Sequence, residues 1–244
     1  MKTNSPLILA GCLAGGLLAA PALRADIILT IENPGVQSTT VSGAATETFD
    51  SAPLGDVASP YATAVGTLSG GTVVASTYDG GQYGGADETA FFTVLGDGSS
   101  ATLIFPAPED YFGLWWAAGD PGNLLKLYDD GTLISSYQFS EITPDLSAAY
   151  YGNPNNGLDS GQPFVYLDFT TAGGTKITSV EFDNITDSGF EMDNLSVFGE
   201  PISPPGRAVP DGGWTLALLT IGIGGLLALR PSRRLGAGIG VPGT

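Results

Sequence analysis

Short stretches of alternating apolar and polar residues, broken every few positions by Gly, Asp, Asn or Pro, fill the chain from Asp26 to Glu200. A period of two sends successive side chains to opposite faces of an extended strand, whereas a helix needs apolar residues three and four apart. Ten such runs stand out: DIILTIE, TVVAST, AFFTVL, ATLIF, YFGLWWAA, NLLKLYD, TLISSYQF, PFVYLDF, KITSVEF and FEMDNLSVF. In LYDDGTLI, Asp130-Gly131 supplies the positive φ angles of a tight hairpin turn. The region has no convincing amphipathic helix, no βαβ rhythm and no internal repeat. The pattern predicts an all-β fold, a two-sheet antiparallel sandwich of jelly-roll type spanning 26–200.

Charge narrows the function classes. Between Asp26 and Glu200 only Lys126 and Lys176 are basic, against 24 acidic residues. Such a field repels phosphates and argues against nucleic-acid binding, while it favours solubility and cation association. The chain has no histidine, and its single cysteine, Cys12, sits near the N-terminus. Ser-His-Asp and Cys-His catalysis, thiolate metal sites and an internal disulfide are excluded. Carboxylates such as Asp120, Asp129, Asp130 and Asp168 are plentiful, but none is singled out as a catalytic acid, and Asp129-Asp130 belongs to the hairpin. The chain is therefore read as a non-enzyme. GGQYGGADE, Gly80 to Glu88, reads as a flexible loop far from any phosphate-binding pattern.

Both ends address the chain to a membrane. Residues 1–25, with Lys2, an apolar run from Leu7 to Ala20 and small residues after it, read as a signal peptide cleaved after Ala22 or, the favoured site, after Ala25, where the domain's polarity begins. The lipobox-like LAGC, Leu9 to Cys12, is the lesser reading, because the apolar run before it is short and continues beyond it. EPISPPGR, Glu200 to Arg207, is a proline-rich sequence, and 201–208 reads as an extended linker. The uncharged stretch Trp214 to Leu229 would rise about 24 Å as a helix, nearly enough for the hydrocarbon core. Trp214 suits the interface, and Arg230, Arg233 and Arg234 suit a cytoplasmic stop. A ten-residue tail, 235–244, follows.

VPDGG (Val209, Pro210, Asp211, Gly212, Gly213), an apolar helix and an arginine cluster together resemble the C-terminal sorting signal of exosortase substrates. This is the PEP-CTERM-like group, in its VPDSG variant. The match covers 209–234, with Gly212 standing where Ser is commoner and a tail following the arginines. FGLWWAAGDPGNLLKLYDDGTLI and FDNITDSGFEMDNLSVFG resemble the jelly-roll-like ectodomains of such surface proteins. The resemblance implies export, an inner-membrane precursor, and recognition by an exosortase-type membrane transpeptidase. Delivery to the cell surface or extracellular matrix follows, with a structural or adhesive role there. Pro210 and the two glycines would leave the motif extended and open to cleavage.

Two binding sites are candidates. In a strand, Phe112, Leu114 and Trp116 share the core register, so Tyr111 and Trp115 lie on the other face. There an open indole would stack on a sugar ring, the alternative being a carbohydrate-binding module. The competing reading is that Trp115 is covered by a loop. Glu47, Asp50 and Asp193 are candidate calcium ligands, by likeness to jelly-roll modules that hold Ca2+ between their first and last strands. Phe190 and Met192 share one register but Leu195 and Val197 take the other, which predicts a bulge at Asp193-Asn194.

Overall fold

The computed structural model describes residues 27–57, 59–186 and 189–209. The strands are β1 (Ile27–Ile31), β2 (Ala45–Glu47), β3 (Gly55–Asp56), β4 (Tyr61–Ala62), β5 (Thr67–Ser69), β6 (Thr72–Val74), β7 (Phe91–Thr93) and β8 (Ser99–Glu109). They continue with β9 (Tyr111–Ala117), β10 (Asn123–Asp129), β11 (Thr132–Gln138), the one-turn helix α1 (Phe139–Ile142), β12 (Val165–Thr171), β13 (Ile177–Asn184), β14 (Glu191–Phe198) and β15 (Arg207–Ala208). The protein is all-β, with two antiparallel sheets and few helical turns. One sheet runs β15-β1-β12-β9-β14-β7-β6-β3, with β2 also on β14, and the other runs β11-β10-β13-β8-β5-β4.

Alternation decides which side chains fill the sandwich. Ile27, Leu29 and Ile31 of β1, Phe112, Leu114 and Trp116 of β9, and Val165, Leu167 and Phe169 of β12 face the second sheet. Leu103, Leu125, Leu127, Val180 and Phe182 meet them from the other side. Rings interlock through the middle: Phe112 lies 6.0 Å from Phe169 and 6.4 Å from Phe182, and Trp116 stacks on Phe190 at 4.4 Å. Each such pair adds about 1 kcal/mol beyond the area it buries. A capping box between Gln138 and Glu141 opens α1, which seats Phe139 on Trp116 at 4.7 Å and closes one end of the core. The Asp130-Gly131 turn forms as expected, with φ of 45° and 78° joining β10 to β11.

The last two residues of the segment read as an extended linker are paired to the sheet. β15 pairs antiparallel with β1, Thr30 opposite Ala208 and Ile31 opposite Arg207, and the Val209 amide donates to the Leu29 carbonyl at 3.1 Å. Arg207 donates to the Asp145 carbonyl at 2.5 Å. The edge of β1 offers unpaired backbone groups, and a short strand satisfies them. Residues 1–25, Cys12, Pro210 to Gly213, the 214–229 stretch, Arg230, Arg233, Arg234 and 235–244 lie outside the described residues. Among the described residues no helix is long and apolar enough to cross a membrane.

Candidate functional site

The outward face of the first sheet is polar, and it is covered. Strand alternation points Thr30 from β1, Tyr166, Asp168 and Thr170 from β12, and Tyr111, Gly113 and Trp115 from β9 away from the core. The β14 register breaks between Asp193 and Ser196, and Asn194 takes a φ of 47°. This is the bulge expected there, and it lets Asp193 and Ser196 face outward while Met192, Leu195 and Val197 stay in the core. All these outward groups are buried.

A hydrogen-bonded chain crosses this face. The Tyr111 hydroxyl donates to Asp168 Oδ1 at 2.7 Å and also meets the Thr39 hydroxyl at 2.7 Å. The Tyr166 hydroxyl donates to Ser196 Oγ at 2.9 Å. Gly113 lies beneath both phenols: a Cβ there would stand 2.2 Å from the Tyr111 oxygen and 2.8 Å from the Tyr166 oxygen. Asp193 accepts from the Ala86 amide at 2.9 Å and from the Asn194 amide at 2.7 Å. Three loops form the cover. Gln37 accepts from the Asn194 side chain at 2.8 Å, Ala86 holds the loop before β7, and the Tyr150 hydroxyl donates to the Glu32 carbonyl at 2.7 Å.

Burial sets the protonation of the carboxyls. It pushes Asp168 up to about 7, against the Tyr111 hydrogen bond, with the nearby charge of Glu32 raising it further. It also pushes Glu191 up to about 8, with repulsion from Asp120 and Asp159 adding to the rise. Asp193 is raised well above the ordinary range, again by burial first. Among the described residues, no basic side chain answers them. The described basic side chains are engaged elsewhere: Lys126 with Glu181 and Asp183, Lys176 with Asp110, and Arg207 with Asp145.

The sequence-derived sites change accordingly. Trp115 and Tyr111 do lie opposite the core register, but Trp115 is 1% and Tyr111 0% exposed. Trp115 packs in a second small cluster with Ala86, Phe164 and Tyr166, so no open indole face exists for a sugar. The covered reading holds: apolar groups such as Ala86 and Phe164 close over Trp115, whose indole N–H is buried without a partner. The candidate calcium ligands Glu47, Asp50 and Asp193 each accept hydrogen bonds from the protein. Glu47 accepts from the Phe49 and Ala64 amides at 2.9 and 2.7 Å, holding a turn in which Phe49 has a φ of 55°. Asp50 accepts from Thr48 at the surface, and Asp193 is taken by backbone amides. Among the described residues, no three His, Cys, Asp or Glu side chains converge as metal ligands.

Sequence reasoning missed two features. One is the polar layer itself, whose only sequence trace is the glycine between Tyr111 and Trp115 and the alternate positions Tyr166, Asp168 and Thr170. The other is a cavity of about 240 Å3 between loops, lined by Ser76, Thr77, Gly81, Glu88, Asn153 and Asn156. Fold and site together define an acidic all-β sandwich with a covered polar layer on one sheet. No family model and no curated protein matches the chain.

Proposed function

We propose that this chain is an exported surface protein with no catalytic role. Its sandwich, jelly-roll-like in its layering, serves a structural or adhesive purpose in the cell coat or extracellular polysaccharide matrix. Residues 209–234 are its sorting signal, read by an exosortase-type transpeptidase while the 214–229 helix holds the precursor in the inner membrane. The C-terminal sequence carries this reading: VPDGG, then the uncharged run Trp214 to Leu229, then Arg230, Arg233 and Arg234. Among the described residues β1 begins at Ile27, and Val209, the first residue of VPDGG, is bonded to Leu29. Because β15 runs antiparallel to β1, with Val209 bonded to Leu29, Ile27 and Val209 lie at the same end of the sheet.

The test is the double substitution Pro210→Ala with Asp211→Ala, followed by fractionation of the host. Full-length protein retained in the inner membrane is expected. A variant that reaches the surface shortened like the natural chain would refute the sorting role.

A second reading, glycan binding, is favoured only by the cavity, whose hydroxyl, amide and carboxylate lining suits sugar hydroxyls. It predicts retarded migration in polysaccharide-containing native gels that Asn156→Ala abolishes, and unretarded migration of the natural chain would exclude it.

A further inference from the structure

Thr30, Asp168 and Thr170 share one patch of the polar layer. Thr30 lies directly opposite Asp168 across the β1–β12 pair, and Thr170 follows two residues along on the same face. Facing cross-strand neighbours have Cβ atoms roughly 5 Å apart. Glu32, next on that face of the β1 strand, bonds through its amide to the Tyr166 carbonyl and sits diagonal to Asp168. All four residues are buried.

Three of their oxygens lack any partner. Thr30 Oγ1, Thr170 Oγ1 and Asp168 Oδ2 are enclosed, and none has a hydrogen bond to another protein group. Buried polar atoms are almost always paired, and leaving one unmet costs about as much as a lost hydrogen bond or more. Three together, one of them a carboxylate oxygen, call for a common partner. The chemistry of that partner follows from the donor set. Every group is a hard oxygen, the Glu32 carboxyl is near enough to Asp168 for its charge to act on it, and no described basic residue reaches them. The Tyr111 hydroxyl holds the other Asp168 oxygen, and Thr40 donates to Glu32 Oε1 at 2.6 Å, so both carboxylates are oriented by a supporting shell.

We propose that Asp168, Thr30 and Thr170, with Glu32 beside them, form a buried site for Ca2+. The ion would tie the first strand of the sandwich to β12, a cross-link in a chain that cannot form an internal disulfide. This site is separate from Glu47, Asp50 and Asp193, and it is independent of how the chain is sorted.

The test uses the full chain in detergent, stripped of metal with a chelator and held at pH 8, with Ca2+ alone as the probe. Ca2+ at about a hundred times its dissociation constant should raise the melting temperature by about 5 °C or more. Asp168→Asn should abolish that shift, Thr170→Val should demand about tenfold more Ca2+, and the exposed Asp97→Asn should leave it unchanged. Should Asp168→Asn fail to fold, the double variant Thr30→Val with Thr170→Val carries the test, and it too should lose the shift. A natural chain that gains nothing from Ca2+, as a water-bridged patch would, overturns the proposal. So does a shift that survives undiminished in these variants, which would place the ion among the surface acids.

Discussion

Gly113 shows how one residue holds the polar layer together. Tyr111 and Tyr166 swing their hydroxyls over its bare Cα, and a methyl group there would sit 2.2 Å from one of them. Gly113→Ala must displace Tyr111 and break its bond to Asp168, leaving a buried carboxylate still less satisfied. A loss of about 2–4 kcal/mol is expected from denaturant unfolding, since overpacking and a lost buried hydrogen bond add. A cost under about 0.5 kcal/mol would mean that the phenols are not locked. Trp115 separates the structural from the adhesive account of β9. Its truncation to Ala should cost about 3–5 kcal/mol, as for a large aromatic core residue, and leave any glycan retention measured on the folded fraction unchanged. A stable Trp115→Ala that loses retention would restore the open-indole reading.

At the scale of elements, the alternating runs were legible because each is long enough to express a period of two. All ten expected strands form, and NLLKLYD matches β10 residue for residue. The strands β2 to β5 and β15 were not legible, since two or three residues carry no period. The Asp193-Asn194 bulge could be read because the register of Leu195 and Val197 contradicts that of Met192. The cover over Trp115 could not, because alternation says which way a side chain points and nothing of what lies above it. The same limit hid β15, where prolines suggested an open spacer although the free edge of β1 recruits it. Trypsin tests this directly. The bond after Arg207 should resist cleavage in the native chain and yield after unfolding, as followed by mass spectrometry, because a protease needs an extended, unpaired substrate. Rapid cleavage there under native conditions would mean that β15 does not stay docked.

For the whole molecule, the buried carboxyls set the response to pH. In the unfolded chain they lose their protons near pH 4, whereas in the fold Asp168 does so near 7, Glu191 near 8 and Asp193 well above its ordinary value. Between those limits the folded chain binds more protons, so stability falls as pH rises through that window. Repulsion among the many surface acids acts in the same direction. In chelator, the melting temperature should therefore decline from pH 5 to pH 9. A maximum near pH 8 would contradict the burial of these acids as neutral groups. Ca2+ bound at Asp168, as proposed, would remove part of the alkaline loss.

The proposed signal peptide and sorting signal are tested most directly by the intact mass of the mature protein recovered from its host. The account predicts an N-terminus at Asp26 and a C-terminus between Val209 and Gly213, with or without an added group. A chain ending at Thr244 would make the terminal helix a permanent anchor and would contradict sorting beyond the inner membrane.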